Sequence, residues 1–145
     1  MFKHLLLPTD GSPLSETAIQ NGVQFAKSIN ARLTGFHVMP EFHVFTYGTE
    51  MLEDTNEEFA KDSRAHADQF LAVIEKAAKA AGVTCDTGLA TSDHPYEAII
   101  KAAEERNCDL IMMASHGRRG LRGILLGSET QKVLIHSKIP VLVYR

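Results

Sequence analysis

The residues with the most chemical potential lie in one stretch, Ala114-Ser115-His116-Gly117-Arg118-Arg119-Gly120-Leu121-Arg122-Gly123-Ile124-Leu125-Leu126-Gly127-Ser128-Glu129-Thr130. Glycine interposes no Cβ, so Gly117 lets peptide N–H groups come close to an anion. Gly127-Ser128 places unpaired N–H donors and a hydroxyl at a helix start, where the helix dipole favours negative charge. Together these groups could cradle a polyphosphate. The same four glycines could equally serve a sharp turn and tight helix packing, with Arg118, Arg119 and Arg122 merely solvated.

The common nucleotide signatures are absent. No Gly-Lys-Ser/Thr occurs, so this is not a Walker A loop, and no Gly-x-Gly follows the first strand-like segment. Cys85 and Cys108 stand alone, without zinc-finger spacing to histidine, and each reads as a small buried hydrophobe. The seven histidines include no pair four apart on one helical face, so no metal site is expected, although His37 and His43 could approach each other. No order of residues assembles a nucleophile, a base and an orienting third group.

These loops need elements to position them. The apolar run Phe2–Leu7 reads as a strand ending at Pro8-Thr9-Asp10-Gly11-Ser12-Pro13, a cluster of turn and cap residues. Ser12 is a plausible N-cap with Pro13 at the first helical position. Leu14, Ala18, Gly22, Phe25 and Ile29 keep helical spacing, and Asn30 closes the helix. Arg32–Met39 reads as a strand stopped by Pro40. Residues 41–56 have no period and read as a loop. Its aromatic part, Phe42, Val44, Phe45 and Tyr47, could cover a ligand, bind a partner or pack on its own domain. Phe59, His66, Phe70, Ile74, Ala77 and Ala81 mark a second helix ended by Gly82, and Val83–Ala90 a third strand. A helix from Tyr96 to Asn107, the apolar strand Asp109–Ser115, a helix from Gly127-Ser128 to about His136 and a last strand Val141–Tyr144 complete the chain. Strand and helix alternate, which implies an α/β fold, a parallel sheet between helical layers. In such sheets ligands bind beyond the carboxyl ends of the strands, where strand order reverses.

Composition fits this reading. The 145 residues, 44% hydrophobic, suffice for one ordinary domain that needs neither disulfide nor metal for stability. No apolar stretch reaches the length of a membrane span, and the start resembles no cleavable signal, so a cytoplasmic protein without a membrane partner is expected. A net charge of −3 argues against a nucleic-acid partner. That total averages two unlike regions. Residues 33–60 hold six acidic groups and no Lys or Arg, whereas residues 117–145 hold six basic groups against Glu129 alone, concentrating positive charge at the proposed phosphate loop.

The spacing of a small residue, two residues, Gly, nine residues and Gly-Ser strongly resembles the universal stress protein family, in its ATP-binding branch. Gly117, Gly127 and Ser128 match the family pattern Gly-x2-Gly-x9-Gly-Ser/Thr, and Ala114 replaces its first glycine. The likeness extends to Leu-Leu-Pro-Thr-Asp-Gly-Ser near the start, His37-Val38, and Ile139-Pro-Val-Leu-Val at the end. It implies a three-layer α/β/α, flavodoxin-like fold of five parallel strands in order 3-2-1-4-5. It further implies an adenine nucleotide at the switch point and a homodimer formed partly by pairing the last strands, Val141, Leu142, Val143 and Tyr144. An apolar edge strand there would otherwise invite aggregation.

Carried over by position, Asp10 sits near the ribose, with Pro8 and Thr9 shaping the pocket. Its carboxylate suits a hydroxyl or a magnesium ion, or simply caps a helix. Val38 meets adenine through its backbone, or is ordinary core. Met113, Ala114, His116 and Gly117 line ribose and phosphates, and Gly127, Ser128, Glu129 and Thr130 adjoin the phosphates; His116 could equally be a turn residue bonded to backbone. Two departures bear on binding: Ala114 adds a methyl that matters if the backbone there needs positive φ, and the Glu129 carboxylate repels a triphosphate unless it points away. The resulting expectation is a non-catalytic, ATP-binding, dimeric nucleotide-sensing module of the stress response. The alternatives are a slow magnesium-dependent ATPase using Asp10 and His116, and a family member serving protein contacts alone.

Overall fold

A computed structural model describes residues 1–43, 50–117 and 126–145, the first turn of the second helix (50–54) as backbone only. The order is β1 (His4–Pro8), α1 (Pro13–Ile29), β2 (Arg32–Met39), α2 (Glu50–Ala81), β3 (Cys85–Thr91), α3 (Pro95–Glu105), β4 (Leu110–Ala114), α4 (Ser128–His136) and β5 (Val141–Tyr144). All strand pairs are parallel and the sheet order is β3-β2-β1-β4-β5, the flavodoxin-like order expected from the resemblance.

The two-residue period of β1 divides the core. Leu5 and Leu7 face α1 and α2, packing with Ile19, Val23, Leu71 and Ile74, while Leu6 faces the opposite layer with Ile99, Ala103, Ile111 and Val133 of α3, β4 and α4. The three leucines are at most 1% exposed, so each contributes the full burial of its side chain, about 1.5–3 kcal/mol.

Local signals set most boundaries. Ser12 caps α1 by accepting from the Ser15 N–H, Pro13 opens the helix, and Asn30 ends it at φ 58°. Several boundaries, among them both ends of β1, β3 and β4, differ by one or two residues from expectation, and two differences have a clear physical reason. Pro8 closes β1 rather than opening the turn, because its missing N–H is harmless at a strand end and the ladder resumes with Thr9 N–H on the Phe36 carbonyl, 2.8 Å. α2 starts at Glu50, inside the segment read as loop. Nothing from Glu50 to Ala81 breaks a helix. Val44, Phe45 and Tyr47 lie outside the described residues; Phe42 packs its ring 5.2 Å from that of Phe59 on α2.

At the amino end of the sheet, buried His4 donates from Nε2 to the Thr34 hydroxyl at 2.7 Å, and Thr34 in turn donates to the Asp86 carboxylate. Burial, aided by the charge of Arg32, holds the imidazole pKa below 6.5, against the opposing pull of Asp86 and Asp109. The unfolded chain therefore binds this proton more readily than the native one, and the associated stability is complete above pH 6.5 and declines as pH falls below it. Urea unfolding at about pH 7.5 and about pH 5.5 should show lower stability in acid, and His4→Gln should flatten that dependence. An unchanged slope in the variant would count against this assignment.

Candidate functional site

β1 and β4 are neighbours, yet their following helices, α1 and α4, pack on opposite faces of the sheet. A crevice therefore opens between the loops that leave these two strands, as in other doubly wound sheets.

On the β1 side, Thr9 is fixed from four directions. Its N–H bonds Phe36, and its carbonyl accepts from His37 Nδ1–H at 2.7 Å, which assigns the tautomer because a carbonyl cannot donate. Its hydroxyl oxygen accepts from the Gly11 N–H at 3.1 Å and the Ser15 hydroxyl at 2.9 Å. Asp10 Oδ1 accepts the Ser12 N–H at 2.9 Å, so one oxygen plays the local capping part considered from sequence. Asp10 Oδ2 lies over Gly117, so close that a Cβ on Gly117 would overlap it. A side chain at 117 would therefore displace the Asp10 carboxylate from this contact. Gly11, at φ 76°, lets the loop turn flat against the Phe70 ring of α2, and the same ring meets His37 edge-on at 5.2 Å. Phe70 is a support that sequence spacing did not single out, since it reads there as an ordinary helix residue, and His37, considered from sequence as a possible neighbour of His43, holds Thr9 instead. His43 does not join His37; it pairs with Asp93 instead.

On the β4 side, Ser115 N–H donates to the Tyr144 carbonyl at 2.7 Å and its own carbonyl accepts from Gly127 N–H at 2.6 Å. Thr130 donates its hydroxyl to the Ala114 carbonyl at 2.9 Å. These bonds draw the N-terminus of α4 beneath residues 115–117, with Gly127 against the His116 backbone. Ser115 and His116 Nδ1 share a hydrogen bond of 3.2 Å. Ala114 lies in regular strand and is not among the positive-φ residues, so its methyl group causes no backbone strain. Met113 and Val38 pack into the apolar cluster beneath α3 and α4.

Glu129 is turned away from the crevice. Oε2 accepts the Tyr96 N–H at the start of α3 at 2.9 Å, and Oε1 lies 3.3 Å from Lys132 Nζ. His94, at the N-cap position of α3, makes no side-chain cap, so Glu129 supplies from another helix the acceptor that α3 lacks. Arg118, Arg119 and Arg122 lie outside the described residues. Cys108 is buried and its thiol is pushed up to about 11, chiefly by burial, which keeps it protonated and unreactive at neutral pH. Two surface clefts flank β3, one of about 380 Å³ between α2 and β3 and one of about 330 Å³ between β3 and α3; neither contains Asp10 or Gly117.

An open, doubly wound α/β sheet of order β3-β2-β1-β4-β5, with two loops and a helix N-terminus converging at its switch point, defines the flavodoxin-like class of α/β proteins. The chain belongs within that class to the universal stress protein family, whose model matches residues 1–145. It is 33% identical over 149 residues to universal stress protein YxiE of Bacillus subtilis, covering all of both chains. The structure of MJ0577 from Methanocaldococcus jannaschii superposes with a TM-score of 0.84 at 30% identity, covering 99% of this chain and 95% of that one. A universal stress protein solved in complex with cAMP superposes with a TM-score of 0.70 at 26% identity, covering 99% and 97%.

Replacing Glu129 by alanine should uncap α3 and lower stability by about 0.5–2 kcal/mol, the usual worth of a capping group, while leaving the α4 backbone in place. Urea denaturation of Glu129→Ala checks this; a midpoint equal to that of the parent protein would refute the capping role.

Proposed function

We propose that this chain binds ATP with magnesium at the switch point between β1 and β4 and acts as a non-catalytic, dimeric nucleotide-sensing module of the stress response. The observation that carries this reading is the meeting of Asp10 with Gly117 directly above the N-terminus of α4. The first N–H groups of α4, at Ser128, Glu129 and Thr130, have no intrahelical acceptors and so offer donors to phosphate oxygens. Asp10 offers the hard oxygen that a ribose hydroxyl or magnesium takes, with Pro8 and Thr9 holding its loop. Val38 contributes strand-end backbone toward adenine, while Met113, Ala114, His116 and Gly117 form the wall beside ribose and phosphates. Glu129 contributes its peptide N–H, because its carboxylate is engaged with α3.

A sensing role fits better than turnover through a serine nucleophile. Ser115, the hydroxyl beside His116, is 2% exposed and so is shielded from an incoming substrate. A dimer through Val141, Leu142, Val143 and Tyr144 is supported by the position of β5 at the sheet edge and by exposed Leu142, Leu134 and Ile135 nearby. Unpaired Cys85 and Cys108 accord with the cytoplasm, and among the described residues no helix is long and apolar enough to cross a membrane.

Mass spectrometry of ligand released from protein purified without added nucleotide should identify an adenine nucleotide. Calorimetric titration with ATP should give saturable binding that magnesium strengthens and Gly127→Val weakens by about tenfold or more, since that side chain would press on the His116 backbone. An absence of heat up to millimolar ATP would favour the protein-contact reading. Phosphate release that disappears in Asp10→Ala would instead establish the ATPase.

A further inference from the structure

A second cluster of ligating groups stands apart from this crevice, at the carboxyl end of the sheet beyond β2 and β3. The last register pair of that ladder is Met39↔Thr91, and the two strands stay zipped past it by Ser92 N–H on the Met39 carbonyl at 2.9 Å. Glu41 N–H then donates to Asp93 Oδ1 at 3.3 Å, and His43 Nε2 lies 2.5 Å from Asp93 Oδ2. In extended chain, residues two apart share a side. Phe42, between them, is drawn the other way onto Phe59 of α2. One imidazole nitrogen and carboxylate oxygens from Glu41 and Asp93 are thereby gathered within 4.8 Å of one another, all three residues exposed.

We propose that Glu41, His43 and Asp93 form a binding site for a divalent transition-metal ion of the zinc class. One nitrogen and two oxygen donors from the protein, with solvent free to complete the shell, is a donor set such an ion takes; the imidazole discriminates against magnesium and calcium, which prefer oxygen alone. Two carboxylates and a neutral imidazole carry two negative charges, which one divalent ion neutralises. Bound metal would cross-link the segment leaving β2 to the β3–α3 connection. The site is independent of the nucleotide reading, because Asp10 and Gly117 follow β1 and β4.

The test uses full-length protein stripped with a chelator and kept free of nucleotide. Titration with zinc chloride should give one saturable equivalent, with the NMR shifts centred on residues 41–43 and 92–94, and should raise the melting temperature. His43→Ala and Asp93→Asn should each weaken binding about tenfold or more, whereas His136→Ala, on α4, should leave it unchanged. All the altered side chains of the cluster are exposed, so circular dichroism should show an intact fold. Equal affinity in the cluster variants, shifts centred on other histidines, or no saturable zinc binding would each overturn the proposal.

Discussion

Everything distinctive about this molecule depends on the double pairing of β1. Its hydrogen bonds run to β2 on one side and to β4 on the other, and its three leucines anchor both apolar layers. A strand in that position cannot shift by one residue without reversing which leucines face which helices, so its register is fixed by packing on both faces. The end of β1, and with it Thr9 and Asp10, is accordingly the best-determined point at the carboxyl end of the sheet.

From that anchor the site is assembled by contacts between groups far apart in the chain. Phe36 and His37 hold Thr9 from β2, Phe70 buttresses Gly11 from α2, and Ser115 and Ala114 tie down α4. The polar groups involved are largely buried: Thr9, Ser12, Ser15, His37, Ser115 and Thr130 are all under 10% exposed and hydrogen-bonded. Buried polar networks of this kind are costly when incomplete, which makes the loop geometry rigid rather than adaptable. Rigid loops are what a site that places several N–H donors around one anion requires.

The same economy extends to Glu129. A carboxylate next to a proposed phosphate site would be an electrostatic liability if it faced the anion, yet here it caps α3 and pairs with Lys132. Its charge is used structurally between two helices, and the positive end of α4 is left available to the crevice.

The sequence by itself determined the alternation of strands and helices, the caps of α1 and α4, the burial of β1 and β4, and the membership signalled by Gly117, Gly127 and Ser128. These are local properties: periodicity, turn chemistry and cap residues act within a few positions of one another. Residues 50–56 misled because a charged first turn carries no apolar period, although a helix accepts it readily. Only the tertiary structure decided which way side chains point. That Ala114 is unstrained, that Glu129 serves α3, that His37 holds Thr9, and that His43 meets Asp93 rather than His37 all follow from contacts across the sheet. Such contacts depend on which strands become neighbours, and no spacing along the chain encodes the direction in which a side chain leaves its backbone.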